Sequence, residues 1–342
     1  MNTHTNHAAI TAPTSDPKSN GIEVFTFGDP ESVLDNRGLL DYLHCMNAGR
    51  WYEPPVNFNE LSKTFRITPH HSSPIYVKRN TLVSTFIPHR LMSASTFSRW
   101  VLNYLVFGNG YVERTLNRLG EVLSLDAPLA KYVRRGTDLS KYWYVTNVAD
   151  DFEFAADAIF HLMEPDIDQE VYGLPEYLSG LSAAQLAEAA TLFRRKYFKN
   201  GSHAGFILYL TDPIHNESDV ADLRTALKNS KGPGNFRNLL MYAPNGKKDG
   251  VQLIPISEVA AKDDFMGIKN TSRDDQLAAH RVPPQLMGII PTNTGGFGSP
   301  QDAANVFAVN ELEPLQARFR ELNDWLGEEV VRFRPYALNK QT

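Results

Sequence analysis

Two helical stretches that bracket a compact insert constrain this chain more than any other feature of its sequence. Ala183, Leu186, Ala187, Ala190, Phe193 and Tyr197 recur at helical spacing. Ser182-Ala183-Ala184-Gln185 reads as a capping box at the start, in which hydroxyl and carboxamide satisfy each other's end of the first turn. Lys196 and Lys199, with Gly201 beyond, suit the electronegative end of a helix. At 1.5 Å per residue this helix spans about 25 Å. Glu258 to Arg281 predicts a second helix of about 36 Å, stopped by Pro283-Pro284. Its apolar positions, Val259, Phe265, Met266, Ile268 and Leu277, are sparse, so much of its surface meets water or packs only in part.

The insert, 204–256, carries strand-like runs at Phe206 to Leu210, Leu239 to Tyr242 and Val251 to Ile256. Ser218 to Asn229 between them is helical, with Val220, Leu223 and Leu227 on one side. Gly232-Pro233-Gly234 marks a turn, and Pro244 to Gly250 a loop.

Upstream, Met1 to Asn20 is rich in Thr, Asn, Ser, Pro and His. It lacks a basic then apolar leader pattern, and it reads as a flexible arm. Residues 21–180 form a mixed α+β block. Ile22 to Gly28 alternates like a strand and Val33 to Asn47 suits a helix. His70-His71-Ser72-Ser73-Pro74 reads as a polar loop after a proline-rich stretch. Ser95 to Phe107 is a helix with Phe97, Val101, Tyr104 and Leu105 on one face, ended by Gly108-Asn109-Gly110. Short strands follow at Tyr111 to Leu116, Val122 to Leu125, Tyr132 to Arg135, Tyr142 to Thr146 and Ala158 to Met163. Downstream of the second long helix, Val282 to Pro300 is a mobile loop by its Pro and Gly content. Asp302 to Phe333 is a long amphipathic helix with Val309, Leu312, Gln316, Phe319, Leu322, Leu326 and Val330 on one face, kinked at Pro314.

The excluded chemistries narrow the function. A formal net charge of −5 over 342 residues is the wrong sign for a protein that grips DNA phosphates tightly. The single cysteine, Cys45, rules out an intrachain disulfide and a cysteine-rich zinc site, and fits a reducing compartment. No apolar run approaches the roughly 18–20 residues of a membrane helix. Asn245-Gly246-Lys247-Lys248 lacks the upstream glycine and the hydroxyl of a phosphate cradle, and no G-x-S-x-G or H-E-x-x-H occurs. His70-His71, read as extended, would point to opposite sides and chelate poorly. His161, Glu164, Asp166 and Asp168 suggest carboxylate chemistry or an ion, but Pro165 makes the stretch a loop. Gly295-Gly296-Phe297-Gly298 follows no strand-to-helix switch of the nucleotide-binding kind. Arg194-Arg195-Lys196 with Lys199 is either a solvated helix end or a contact to DNA or another subunit. No cofactor and no metal are implied.

Four stretches carry a resemblance to a known family. They are Leu105-Val106-Phe107-Gly108-Asn109-Gly110-Tyr111-Val112-Glu113-Arg114; Ile159-Phe160-His161-Leu162 followed by Val171-Tyr172-Gly173-Leu174-Pro175; Phe193-Arg194-Arg195-Lys196-Tyr197-Phe198-Lys199-Asn200-Gly201; and Arg281-Val282-Pro283-Pro284-Gln285-Leu286-Met287-Gly288. In that order, with these helices between them, the chain resembles the portal proteins of tailed bacteriophages, in the branch called PBSX-type.

The resemblance implies an α+β portal fold. Its parts are a flexible arm at 1–20, a mixed α/β wing at 21–181, an antiparallel stem pair at 182–203 and 257–284, and a small α/β clip at 204–256. A tunnel-loop region at 285–300, a long kinked helix at 301–334 and a tail at 335–342 complete it, with the crown minimal or absent. It implies a ring of twelve copies in the virion, at one capsid vertex, assembled in the host cytoplasm, with no membrane partner. Double-stranded DNA passes through without sequence readout. The terminase large subunit, a head-completion or connector protein, and the major capsid and scaffold proteins are the implied partners. Twelve chains at −5 carry about −60, which discourages DNA from sticking. Thr292, Asn293, Thr294, Phe297, Lys262, Lys269 and Arg273 are the expected channel residues, and Arg281 is another cation that could touch DNA. Phe206, Leu208, Arg237, Leu240, Tyr242 and Lys247 are the expected clip contacts. Two rival readings remain: a head or tail adaptor without a channel, and a metal-dependent hydrolase or nuclease built on the His161–Asp168 stretch, which predicts further acids gathered around it.

Overall fold

A computed structural model describes residues 45–146, 150–199, 206–210, 238–242, 251–255, 259–289 and 299–337; the side chains of 196–199, 206–210, 238–242, 251–255 and 259–266 lie outside that description. The expected arm, the strand at 22–28 and nearly all of the helix at 33–47 also lie outside it. So do the helix at 218–229 and the sites Arg237, Lys247, Thr292, Asn293, Thr294 and Phe297.

The chain divides into two compact units, one containing Phe193–Lys262 and a larger one containing Glu31–Leu192 and Asp263–Thr342. In the larger unit, helix α1 (Phe58–Thr64) starts at Asn57, whose side chain accepts the Asn59 and Glu60 amides. Helix α2 (Pro69–Thr85) starts at Thr68, whose hydroxyl accepts the His71 amide, with Pro69 in the first helical position. Residues 70–74 are therefore helical and not the expected polar loop. Pro74 removes only one bond near the start of α2, and it is buried beside Ile75, with Leu82 two turns on.

Strand β1 (Phe86–Ile87) leads to helix α3 (Ala94–Phe107), capped by Ser93 and ended by Gly108 in the left-handed conformation. Strands β2 (Asn109–Leu116), β3 (Val122–Asp126) and β7 (Ile159–Met163) form an antiparallel sheet in the order β3-β2-β7. Strands β4 (Val133–Arg135), β5 (Tyr142–Tyr144) and β6 (Phe152–Glu153) form another. Helix α4 (Leu181–Lys199) follows directly from a 3-10 turn, Glu176–Gly180. Leu181 is already helical at that junction, so Ser182 lies inside the helix and the expected capping box is not formed.

Helix α5 (Val259–His280) ends before Pro283-Pro284, close to the expected limit. The region expected as one helix from 302 to 333 is divided. Helix α6 (Pro300–Phe307) opens with a capping box between Ser299 and Asp302. A π turn spans Ala308–Leu312, helix α7 covers Glu313–Leu326 with Pro314 in its first turn, and Gly327 closes it in the left-handed conformation. Strand β11 (Arg332–Phe333) then pairs with β1. The helical run continues unbroken through Pro314, and the extra residue of the π turn lies just upstream of a proline that has no amide to donate.

The core of this unit is aromatic. Trp100 and Phe319 meet edge to face at 4.8 Å, Phe86 stacks on Phe97 at 4.1 Å, and Phe97 also touches Phe319 and Phe333. Phe97, Trp100 and Phe319 are fully buried, each contributing about 1.5–3 kcal/mol by transfer from water. These contacts fix α3, α7 and β11 as one layer.

In the smaller unit, strands β8 (Phe206–Leu210), β9 (Asn238–Tyr242) and β10 (Val251–Pro255) form a mixed sheet in the order β10-β8-β9. The β8–β9 pair is parallel and the β8–β10 pair antiparallel, with Phe206 opposite Pro255.

Candidate functional site

The residues that most suggested chemistry are occupied by structural work. His161 lies on β7, half-buried, with Nε2 at 2.9 Å from the Asn109 carboxamide oxygen. Burial, then Arg135, holds its pKa well below the ordinary histidine value, so the ring is neutral. Glu164 receives the Tyr104 hydroxyl at 2.5 Å and the Arg318 guanidinium at 2.6 Å. Asp166 accepts the Asp168 amide at 2.9 Å within its own loop. The four do not converge on one point. Among the described residues no group of three or more His, Cys, Asp or Glu could hold a metal ion.

His70 and His71 stand on the first turn of α2, about 100° apart around the helix, and not on opposite sides of a strand. His71 is buried, edge-on to Tyr177, with Nδ1 at 3.0 Å from Nε2 of His280 at the end of α5. Burial holds the His71 pKa down to about 4 and that of His280 to about 2, the latter lowered further by His71, Lys78 and Arg281. One turn earlier, Thr68 hydrogen-bonds Gln276 of α5. The last turns of α5 are thus seated on the start of α2 through buried polar contacts. Next to them, Gly180 packs closely against Ala279, and Ser182, Ala183, Leu186, Thr271, Asp275 and Ala278 line an open groove.

A ring of ion pairs lies beside this seat. Lys78 of α2 lies 2.8 Å from Glu311 of the π turn and 3.4 Å from Glu176. Arg281, just past α5, lies 2.6 Å from Glu311 and also pairs with Glu176. Burial pushes the Glu176 carboxyl up, but Lys78 and Arg281 outweigh it and leave it below the ordinary value. From the sequence alone Arg281 reads only as a cation that could touch DNA, and the ion ring is a finding of the structure. A cation placed between a helix end and Pro283-Pro284 is the one local sign of it.

Of the cations expected to face a channel, Lys269 is exposed on α5. Arg273 is mostly covered and pairs with Asp274 at 2.8 Å. Lys269 and Arg273 both lower the pKa of His70, after burial. Lys262 stands on the same helix. In the smaller unit Leu240 and Tyr242 lie on β9, an edge strand of its three-stranded sheet, whereas Phe206 and Leu208 lie on the central strand β8. No helix among the described residues is long and apolar enough to cross a membrane.

Three comparisons bear on this arrangement. The family model described as "Phage portal protein" matches residues 77–339. The chain is 54% identical over 332 residues to the "Probable portal protein" of Escherichia phage P2, covering 97% of this chain and 96% of the relative. It is 36% identical over 270 residues to the "Probable portal protein" of Haemophilus phage HP1 (strain HP1c1), covering 78% of each. Its fold is similar to a solved structure described as "Neck of native GTA particle computed with C12 symmetry", with a TM-score of 0.62 at 17% identity over 88% of this chain and 89% of that one. A family match over most of the chain, and a relative more than half identical along nearly all of it, place this chain in the phage portal protein family, whose members are structural channel proteins and not enzymes.

Proposed function

We propose that this chain is the repeating subunit of a closed ring at one vertex of a phage head, through which double-stranded DNA is packaged and later released. The family match over residues 77–339 carries this reading. The likeness to a neck described with C12 symmetry supports a ring of twelve, and the four stretches quoted from the sequence support the PBSX-type branch.

In this reading 21–181 is the wing, 182–203 and 257–284 are the stem, and 204–256 is the clip. Residues 285–300 are the tunnel-loop region, 301–334 the divided helix behind it, and the crown is minimal or absent. Lys262, Lys269 and Arg273 on α5, with Thr292, Asn293, Thr294 and Phe297, face the DNA path. A net charge of −5 per chain keeps the conduit from binding DNA, while scattered cations touch phosphates in passing. The clip residues Phe206, Leu208, Arg237, Leu240, Tyr242 and Lys247 serve contacts between subunits and to the terminase large subunit and the head-completion protein. Among the described strands β9 lies at the edge of its sheet, a position suited to strand pairing. Capsid and scaffold proteins meet the wing, during assembly in the host cytoplasm.

The test is the mass of the purified native particle, by native mass spectrometry with negative-stain imaging. Closed rings of about twelve 38.4 kDa chains around a central hole are expected. A stable monomer or dimer at micromolar concentration overturns the reading.

A further inference from the structure

Helix α5 ends at His280, and the next residue, Arg281, has φ +54°. A helix commonly closes on a left-handed residue, and glycine is the usual choice because a side chain there is strained. This chain places an arginine at that position. A residue that breaks the local backbone preference points to work done by its side chain.

That work is visible. Arg281 and Lys78 each pair with both Glu176 and Glu311, a closed circuit of four ion pairs with no net charge. The side chains of Lys78 and Glu311 are only 4% and 9% exposed. Arg281 is half exposed at 49%, so solvent screens part of its pairing, but its removal still leaves two carboxylates facing the one buried ammonium of Lys78. Each member comes from a different element: α2, the 3-10 turn before α4, the residue closing α5, and the π turn.

Glu311 is the key to what the circuit controls. It lies within Ala308–Leu312, where the helix carries one residue more than α-helical geometry needs. If that residue were absorbed, Glu311 would turn by about 100° about the helix axis and leave both cations. The ion circuit therefore depends on the register that the π turn sets.

We infer that Arg281 is a positioning residue whose guanidinium clamps the end of α5 to the π turn, so that the seating of α5 and the register of Ala308–Leu312 change together. The inference stands on contacts within the larger unit and does not rest on the ring reading.

Hydrogen exchange read by mass spectrometry on the full chain tests it, with Arg281→Gly, Arg281→Lys and Glu311→Gln. Glycine is the residue the backbone prefers, yet Arg281→Gly is expected to speed exchange at 308–316 and at 276–282 by at least about ten-fold, with α3 unchanged. Arg281→Lys is expected to recover most of that protection. Glu311→Gln, which changes only the π-turn side, is expected to speed exchange at 276–282 as well. Wild-type rates at 308–316 in Arg281→Gly overturn the inference, as does acceleration spread evenly over α3. If Arg281→Gly does not fold, Glu311→Gln decides: wild-type rates at 276–282 overturn the inference, and faster exchange confined to 276–282 and 308–316 supports it.

Discussion

Asn109 and Gly173 hold each other by a reciprocal pair of hydrogen bonds: the carboxamide Nδ2 donates to the Gly173 carbonyl at 2.7 Å, and the Gly173 amide donates back to Oδ1 at 2.8 Å. Nδ2 also donates to the Phe107 carbonyl at 2.7 Å, and His161 Nε2 lies 2.9 Å from Oδ1. The first residue of β2 thereby ties the end of α3 to β7 and to the segment leading into α4. Because Oδ1 only accepts, the bond assigns the His161 proton to Nε2.

Asn109→Ala leaves the Gly173 amide and carbonyl buried without these partners. The expected loss is about 2–4 kcal/mol of unfolding free energy, read by urea denaturation. Asn109→Leu, close in size, is expected to be as damaging, since shape does not replace the bonds.

Gly173 has no room for a side chain. A Cβ built there would overlap the Gly108 carbonyl and the backbone of Glu164. Gly173→Ala is expected to cost more than about 4 kcal/mol, at the upper end for a single substitution, and to leave little soluble protein. Gly120→Ala, where a Cβ meets nothing within 4 Å but φ is +83°, is expected to cost about 1–2 kcal/mol. Soluble yield and melting temperature of the two variants check the contrast.

Arg318 lies 2.6 Å from both the Tyr104 hydroxyl and Glu164. Its guanidinium is partly exposed, with a side-chain exposure of 31% against 12% for Glu164. Arg318→Met is therefore expected to cost only about 1–3 kcal/mol, after allowance for solvent screening. Adding Glu164→Gln is expected to recover at least half, which a double-mutant cycle measures.

The His71–His280 pair makes stability fall in acid. Both folded-state pKa values lie below the ordinary value of 6.5, His71 at about 4. The unfolded chain thus takes up protons that the folded chain refuses. Stability from this source is complete above pH 6.5 and is lost as pH falls towards 4, by about 2–3 kcal/mol for His71. Urea unfolding across that range is expected to show the slope, and His71→Gln to lessen it by the His71 share while that of His280 remains.

The long helices and the insert were legible because their signals are local. Three strands of the insert lie within a residue or two of their apolar runs, and α3 ends at the glycine that no other residue replaces cheaply. The misses come from local signals that compete. Pro74 and its polar neighbours suggested a loop, yet Thr68 and Pro69 begin a helix whose buried face carries Pro74 along. Ser182 had the pattern of a cap, but the 3-10 turn at Glu176–Gly180 feeds straight into α4. Pro314 suggested a kink, yet the helix runs on through it to Leu326, and the irregularity is a π turn just upstream at Ala308–Leu312. The ion circuit was illegible because Lys78 and Glu311 stand 233 positions apart, and nothing local sets those charges apart from the rest.

The pairing of Phe206 with Pro255 has an evolutionary consequence. The chain enters the insert and leaves it through directly opposed residues, about 5 Å apart across an antiparallel pair. A tight turn could bridge that gap. Any replacement segment with ends paired in the same way would therefore keep the entry and the exit of the chain at this point of the sheet.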